Sequence, residues 1–152
     1  MKNKIAIFPG TFDPFTLGHH DIVLRGLKMF DTIHIAMGNN PEKERYFDVE
    51  LIKNKIEELY KNENKINIIL YNELTAEISK KLNANFILRG LRNTTDFEFE
   101  NSISQINKDI NKDLETVFLI TSPKLAPISS TIIRDVIKYG GDINKYLPYK
   151  IN

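Results

Sequence analysis

Strand-like and helix-like segments alternate from one end of this sequence to the other, which predicts an α/β fold: a five-stranded parallel sheet with helices on both faces. Two observations carry that expectation. Five short runs rich in isoleucine, valine and phenylalanine, Ile5 to Phe8, Ile33 to Met37, Ile66 to Leu70, Phe86 to Leu88 and Val117 to Ile120, have the length and composition of buried strands. Between them the apolar residues return at helical spacing. Alternation of this kind implies right-handed crossovers, and it puts a ligand at the carboxyl ends of the strands, in the loops that lead into helices.

In chain order, Ile22, Val23, Gly26, Leu27 and Phe30 mark the first helix, and Val49, Ile52, Ile56 and Leu59 the second. Leu74, Ile78 and Leu82 mark a third, and Phe99, Ile103, Ile106 and Ile110 a fourth. Ile132, Ile133, Val136 and Ile137 close the series, with Gly140 and Gly141 as a natural helix stop. The most loop-like interior stretch is Asn39 to Arg45. No repeat, low-complexity tract or flexible linker interrupts the pattern, so a single domain over residues 1–152 is expected.

Composition narrows the function. At 152 residues, 41% hydrophobic and 27% charged, the chain is of a size and character to bury one core. Lys plus Arg is 21 against 20 for Asp plus Glu, so no field of one sign gathers a polyanion, and nucleic acid is not an expected partner. Cysteine is absent, which removes disulfides, thiolate catalysis and cysteine-based zinc sites. Neither a signal segment nor a membrane-length apolar run is visible, so no membrane association is expected, and a cytoplasmic location is.

The first strand runs into Pro9-Gly10-Thr11-Phe12-Asp13-Pro14-Phe15-Thr16-Leu17-Gly18-His19. Gly10 and Gly18 let a ligand approach the backbone, while Thr11, Thr16 and His19 offer donors near the positive end of the first helix. Each residue alone would pass for turn shaping or capping; together they make an anion site. No Gly-Lys-Ser/Thr follows and no Gly-x-Gly-x-x-Gly is present, which sets aside the common phosphate loop and the dinucleotide fingerprint. A second cluster, Ile128-Ser129-Ser130-Thr131 followed by Arg134, exceeds what one N-cap needs and points to phosphate. A third joins Arg89-Gly90-Leu91-Arg92 to Asp96-Phe97-Glu98-Phe99-Glu100. Its arginines suit bidentate phosphate contacts. At about 100° per residue, Asp96, Glu100 and Asn107 share one stripe that could face a cleft, beside the apolar stripe of Phe99, Ile103, Ile106 and Ile110. An acidic helix start that complements its own dipole is the other reading for Asp96 and Glu98.

Gly-Thr-Phe-Asp-Pro with Thr-x-Gly-His, and Ile-Ser-Ser-Thr-x-x-Arg near the end, resemble the nucleotidyltransferase superfamily related to class I aminoacyl-tRNA synthetases. Thr16 in place of a first histidine, Arg-Gly-Leu-Arg and Asp-Phe-Glu-Phe-Glu are similar to the bacterial phosphopantetheine adenylyltransferases. The likeness covers almost the whole chain and implies a Rossmann-like form of the sheet. It further implies AMP transfer from ATP to 4′-phosphopantetheine, giving dephospho-coenzyme A and pyrophosphate in coenzyme A synthesis, with Mg2+ accompanying ATP, and assembly as a homohexamer. By that resemblance His19, Lys43, Thr11 and Arg92 are the catalytic set. Thr11, Phe12, His19, Gly90, Leu91, Arg92, Glu100 and the stretch Leu125, Ala126, Pro127, Ile128, Ser129, Ser130, Thr131 would bind ATP. Thr11, Lys43, Thr75 and Arg89 would bind phosphopantetheine.

The chemistry suits these residue types. An acceptor phosphate with a second pKa near ~6 is already an ionised nucleophile at neutral pH, so no general base and no covalent enzyme intermediate are expected. His19 is then a donor to charge developing on the α-phosphate. No residue pattern marks a protein metal site; His20 and His34 lack companion ligands, and magnesium is expected to be held mainly by phosphates and water. Transfer to nicotinate mononucleotide, cytidylyl transfer to a choline-type phosphate, and a nucleotide sensor without turnover are the competing readings. Thr16 speaks against the first two, and the intact set Thr11, His19, Lys43, Arg92 and Arg134 against the third.

Overall fold

In the computed structural model, which describes residues 2–151, the strands are β1 (Ile5–Gly10), β2 (Thr32–Gly38), β3 (Ile66–Tyr71), β4 (Phe86–Leu91) and β5 (Glu115–Ile120). All neighbours are parallel and the order is β3-β2-β1-β4-β5, the doubly wound arrangement the sequence predicts. Residues 1 and 152 of the expected domain lie outside the described residues. Helices α1 (Leu17–Gly26) and α2 (Val49–Leu59) supply Ile22, Val23, Ile52 and Ile56 to a core on one face, with Phe8, Ile33, Ile35 and Leu88 of the sheet. On the other face α3 (Thr75–Lys81) and α4 (Thr94–Ile110) supply Ala76, Ile78 and Ile110 against Ile7, Ala36, Ile87 and Leu114. Each fully buried side chain of this size contributes about 1.5–3 kcal/mol.

The chain winds outward from β1 in one direction, then crosses back to lay β4 on its other side, so the β1–β4 seam is the topological switch point. That seam is short. β1 pairs with β2 from Ile5 through Gly10, but with β4 only at Ala6 and Ile7. Pro9 has no amide hydrogen to donate, and beyond Ile7 the two strand ends separate. Side-chain alternation then assigns the faces: Ile87 belongs to the α3/α4 core and Arg89, two residues on, reaches α4, whereas Gly90 faces α1. A Cβ on Gly90 would stand 3.0 Å from Ile22 Cγ1, which ties the close approach of α1 to glycine there.

One helix differs from its sequence reading. The first helix stops at Gly26, and Phe30, placed in it by periodicity, lies past its end, buried in the core with its amide bonded to the Gly26 carbonyl. On α4 the apolar stripe faces outward: Phe99 is 67% exposed and Ile106 63%, while Glu100 and Asn107 are buried. The half-buried Arg89 on β4 pairs with the buried Glu100 opposite it, and that pairing turns the polar stripe of α4 inward. The last helix, α5 (Ser130–Lys138), ends as expected. Gly140 adopts φ 76°, its amide bonds the Ile137 carbonyl, and Gly141 bonds that of Val136, a Schellman stop. Beyond it Ile143 and Leu147 pack on Ile133, and the Tyr149 hydroxyl donates to the Phe15 carbonyl at 2.8 Å. Among the described residues no helix is long and apolar enough to cross a membrane.

Candidate active site

The loop from β1 to α1 carries the first part of the site. Thr16 is the N-cap of α1, and its hydroxyl accepts the His19 amide. The side-chain role of free donor assigned to Thr16 is therefore corrected: a buried hydroxyl at the N-cap is recruited by the unpaired first-turn amides. His19 completes a capping box, its Nδ1 accepting the Thr16 amide at 2.9 Å. With Nδ1 an acceptor, the proton of the neutral ring sits on Nε2. Burial, then the charges of Arg89 and Arg92, lower the His19 pKa to about 3, so in the free protein the ring is neutral and a donor at Nε2. Phe12 meets it edge-on at 5.0 Å between centroids, and Phe15 lies 5.4 Å away. These rings fix the imidazole plane.

At the carboxyl end of β4 two arginines stand beside α4, and both are paired. Arg89 donates through Nε to Glu100 Oε2 at 2.9 Å, through Nη2 to Oε1, and through Nη1 to the Pro9 carbonyl across the gap between the strands. Arg92 forms a fork with Asp96 at 3.0 and 3.1 Å, reinforced by its own amide. Burial opposes charge on Asp96, but the hydrogen bonds and charge of Arg92 outweigh it and hold the carboxyl below its ordinary range.

The third part is the start of α5. Its hydroxyls divide the work: Ser129 caps the helix by accepting the Ile132 amide, Ser130 donates to the Pro14 carbonyl at 2.8 Å, and Thr131 accepts from Arg134. Arg134 also donates to the Asp13 carbonyl at 2.7 Å. The loop after β2, residues 39–48, is bound to the same strand-to-helix loop. The buried Asp13 carboxylate accepts the amides of Tyr46 and Phe47 at 2.8 and 2.9 Å, and Arg45 donates to the carbonyls of Thr11 and Phe12.

These pieces enclose a cavity of about 300 Å3 at the switch point, where the first turns of α1 and α5 converge. Thr11, Phe12, His19, Gly90, Arg92, Glu100, Ile128, Ser129, Ser130 and Thr131 of the expected ATP set line it. Leu91, Leu125, Ala126 and Pro127 do not. Leu91 is buried at the strand end, its carbonyl accepting the Thr121 amide. The Leu125 and Ile128 carbonyls lie 3.9 and 3.7 Å from where a Cβ on Gly18 would stand, so this loop meets α1 through its backbone. A second cavity of about 200 Å3 holds Thr11, Thr75 and Arg89 of the acceptor set, with Asn107 and Ser104. Lys43 stands apart from both, in an open groove that shares Thr11 with them. Gly10, Thr11, Arg89 and Glu100 line both cavities, so the Arg89–Glu100 ion pair is part of the boundary between the two.

Asp13 and Arg45 were outside the residues the sequence reading assigned to binding or catalysis. Arg134 was visible as the end of the Ser-Ser-Thr motif. Asp13 and Arg45 act across more than thirty residues of chain, and only an isolated pair of charges near glycine-rich and aromatic neighbours signals them.

Comparison with known proteins gives a consistent answer. Residues 7–136 match the family model described as cytidylyltransferase-like. The phosphopantetheine adenylyltransferase of Cytophaga hutchinsonii is 58% identical over 149 residues, covering 98% of this chain and 99% of that one. That of Bacteroides thetaiotaomicron is 43% identical over 143 residues, 94% of each chain. Among solved structures, a bifunctional NMN adenylyltransferase/ADP ribose pyrophosphatase from Francisella tularensis superposes with a TM-score of 0.71 at 15% identity. That match covers 97% of this chain but spans only 45% of the other, and at this identity it speaks for the fold.

Proposed function

This chain belongs to the cytidylyltransferase-like nucleotidyltransferases, in the family of the phosphopantetheine adenylyltransferases, and on that premise we propose that it transfers AMP from ATP to 4′-phosphopantetheine. The products are dephospho-coenzyme A and pyrophosphate, in a step of coenzyme A synthesis. The observation that carries the reading is the pair of adjoining cavities with a shared boundary. One is lined by two helix starts, His19 and Arg92, as a polyphosphate requires, and the other by Thr75 and Arg89. Thr11 borders both, where an acceptor phosphate would meet the α-phosphate.

The reaction is a direct displacement. An acceptor phosphate oxygen forms a bond to the α-phosphorus, and the bond from that phosphorus to the bridging oxygen breaks, its electron pair leaving with pyrophosphate. The nucleophile arrives ionised, so no residue need remove a proton. The chain supplies placement and donors. His19 Nε2–H faces charge developing on the α-phosphate, its direction set by the Thr16 amide behind it. Arg92 exchanges its Asp96 contacts for phosphate oxygens, and Arg89 holds the acceptor phosphate, while Lys43 reaches in from the neighbouring groove. Phe12 packs His19, and Gly90, Glu100, Ile128, Ser129, Ser130 and Thr131 complete the nucleotide cavity.

The carboxylates around that cavity are engaged: Asp13 with two amides, Glu100 with Arg89, and Asp96 with Arg92. Mg2+ arriving with ATP would therefore be held by phosphates and water, and would supply charge neutralisation there. The exposed apolar residues of α4, Phe99, Ile103 and Ile106, support self-assembly, and a homohexamer in the cytoplasm is the form the resemblance implies. Sedimentation would give six times the chain mass; a monomer would remove that part.

The test of the reaction is pyrophosphate release from ATP with phosphopantetheine, compared with CTP and with nicotinate mononucleotide or phosphocholine as acceptor. Release is expected only with the first pair. Its pH profile should show the ionisation of the acceptor phosphate near ~6 and retain it in His19→Gln. Loss of that inflection in the variant would make His19 the base and end the donor assignment.

A further inference from the structure

Two residues past Lys43, Arg45 is partly buried while its neighbours Pro41 to Glu44 are exposed. Its guanidinium makes four hydrogen bonds, every one to a backbone carbonyl: Thr11 at 2.7 Å, Phe12 at 3.1 Å, Gly38 at 3.3 Å and Phe47 at 3.4 Å. These acceptors belong to three segments: the end of β2, the loop leaving β1 and the far side of the Lys43 loop. A planar fork of donors can span them; an ammonium cannot. Phe12 sits at φ 49°, a left-handed conformation, and its carbonyl is one of those held. From the other direction the Asp13 carboxylate takes the Tyr46 and Phe47 amides. One cation and one anion thus lace the same two loops through their main chains, with crossed polarity.

The geometry points to Arg45 as a positioning residue for the transfer reaction, acting by locking the Lys43 loop to Thr11. On one side of this lace Thr11 borders both enclosed cavities, and on the other Lys43 lies in the adjoining groove. A transferring phosphoryl group must be met from both sides at once, and that requires a fixed separation between the two loops. Among the described residues no carboxylate is hydrogen-bonded to the guanidinium, and Asp13 and Asp48 act on it through space. This inference rests on Lys43 and Thr11 acting in adenylyl transfer.

The experiment is a double-variant cycle on pyrophosphate release with ATP and phosphopantetheine, together with amide exchange on the free protein. Arg45→Met keeps the stem and removes the fork. Its turnover should fall at least about tenfold, with KM for ATP changed by less than about threefold. Arg45→Lys should recover less than about half of the loss, because charge alone cannot bridge four carbonyls. In a Lys43→Ala background, Arg45→Met should lower turnover by less than about twofold further, since the residue it positions is gone. Turnover close to that of the parent in folded Arg45→Met or Arg45→Lys, or fully multiplicative losses in the double variant, would overturn the proposal. If the parent protein releases no pyrophosphate, the transferase reading fails on its own. The lock is then read from exchange of the Tyr46 and Phe47 amides: acceleration in Arg45→Met upholds it, and unchanged exchange sinks it.

Discussion

The two sides of the cavity at the switch point hold their arginines in opposite ways. On the β1 side, Arg134 in the wall and Arg45 in the adjoining groove donate to backbone carbonyls of Asp13, Thr11 and Phe12, and His19 stands neutral with its proton directed by a main-chain amide. On the α4 side, Arg89 and Arg92 are each forked onto a carboxylate, Glu100 and Asp96. A carbonyl fixes a guanidinium without neutralising it. A carboxylate neutralises it and competes with any phosphate that arrives. The first wall is thus a finished scaffold, and the second must trade partners when ligand binds. Changes to the first should appear chiefly in turnover, and changes to the second chiefly in affinity and stability.

The largest effect should come from the scaffold wall. In the proposed reaction His19 donates only to charge that develops as the bond forms, so His19→Ala should lower kcat by about 100- to 1,000-fold, with KM for ATP within a few fold. Steady-state pyrophosphate release separates the two. A loss confined to KM would place His19 among ground-state contacts and erase the distinction between the walls. The same residue has a stability signature. Its folded pKa, about 3, lies below the ordinary 6.5. Above the ordinary value both folded and unfolded rings are neutral. As pH falls from there toward the folded value, the unfolded chain takes up a proton that the folded one refuses, and stability declines. Denaturant melts of His19→Gln should show a shallower decline across that window.

The fold was legible because parallel strands covered on both faces read as unbroken apolar runs, and all five such runs became strands. The separation of β1 from β4 was half legible: Pro9 announces a missing donor, but nothing local says that Arg89 will fill the gap. The rotation of α4 was legible on its polar side, since the stripe of Asp96, Glu100 and Asn107 read as facing a cleft does line the two cavities. What periodicity does not announce is the partner opposite Glu100, the half-buried Arg89. Side-chain motifs at helix starts, His19 and Ser129 to Thr131, could be found because capping chemistry is local. Arg45 and Asp13 could not, since their partners are main-chain atoms, which every residue carries.

The Arg89–Glu100 pair gives the second effect. Glu100→Ala would leave a guanidinium 28% exposed with the Pro9 carbonyl as its one remaining partner. Stability should fall by about 2–3 kcal/mol, roughly 5–10 °C in melting temperature, below the full cost of breaking a wholly buried pair because water still reaches Arg89. Glu100→Gln keeps an acceptor and should lose less. A thermal melt unchanged in Glu100→Ala would mean that the boundary between the cavities holds no buried charge, and that the second wall is no more strained than the first.

The smallest effect sharpens the comparison most, because its sign is opposite for the two walls. Asp96 and Arg92 are partly exposed, so their pair is worth at most about 1 kcal/mol. The folded Asp96 carboxyl is held below its ordinary 3.8, so that share is complete above the ordinary value and is lost as pH falls below it. Asp96→Asn should therefore barely change the melting temperature at neutral pH. In binding, however, it removes the competitor for Arg92. ATP should bind a few fold more tightly to Asp96→Asn, by about 1 kcal/mol or less, and the gain should shrink as salt screens the interaction. Removing a carbonyl-held cation, as in Arg134→Met, can only weaken that affinity. Titration calorimetry at two ionic strengths measures both. Weaker ATP binding by Asp96→Asn would show that the carboxylate orients Arg92 for phosphate and does not compete with it, which would make the second wall as preorganised as the first.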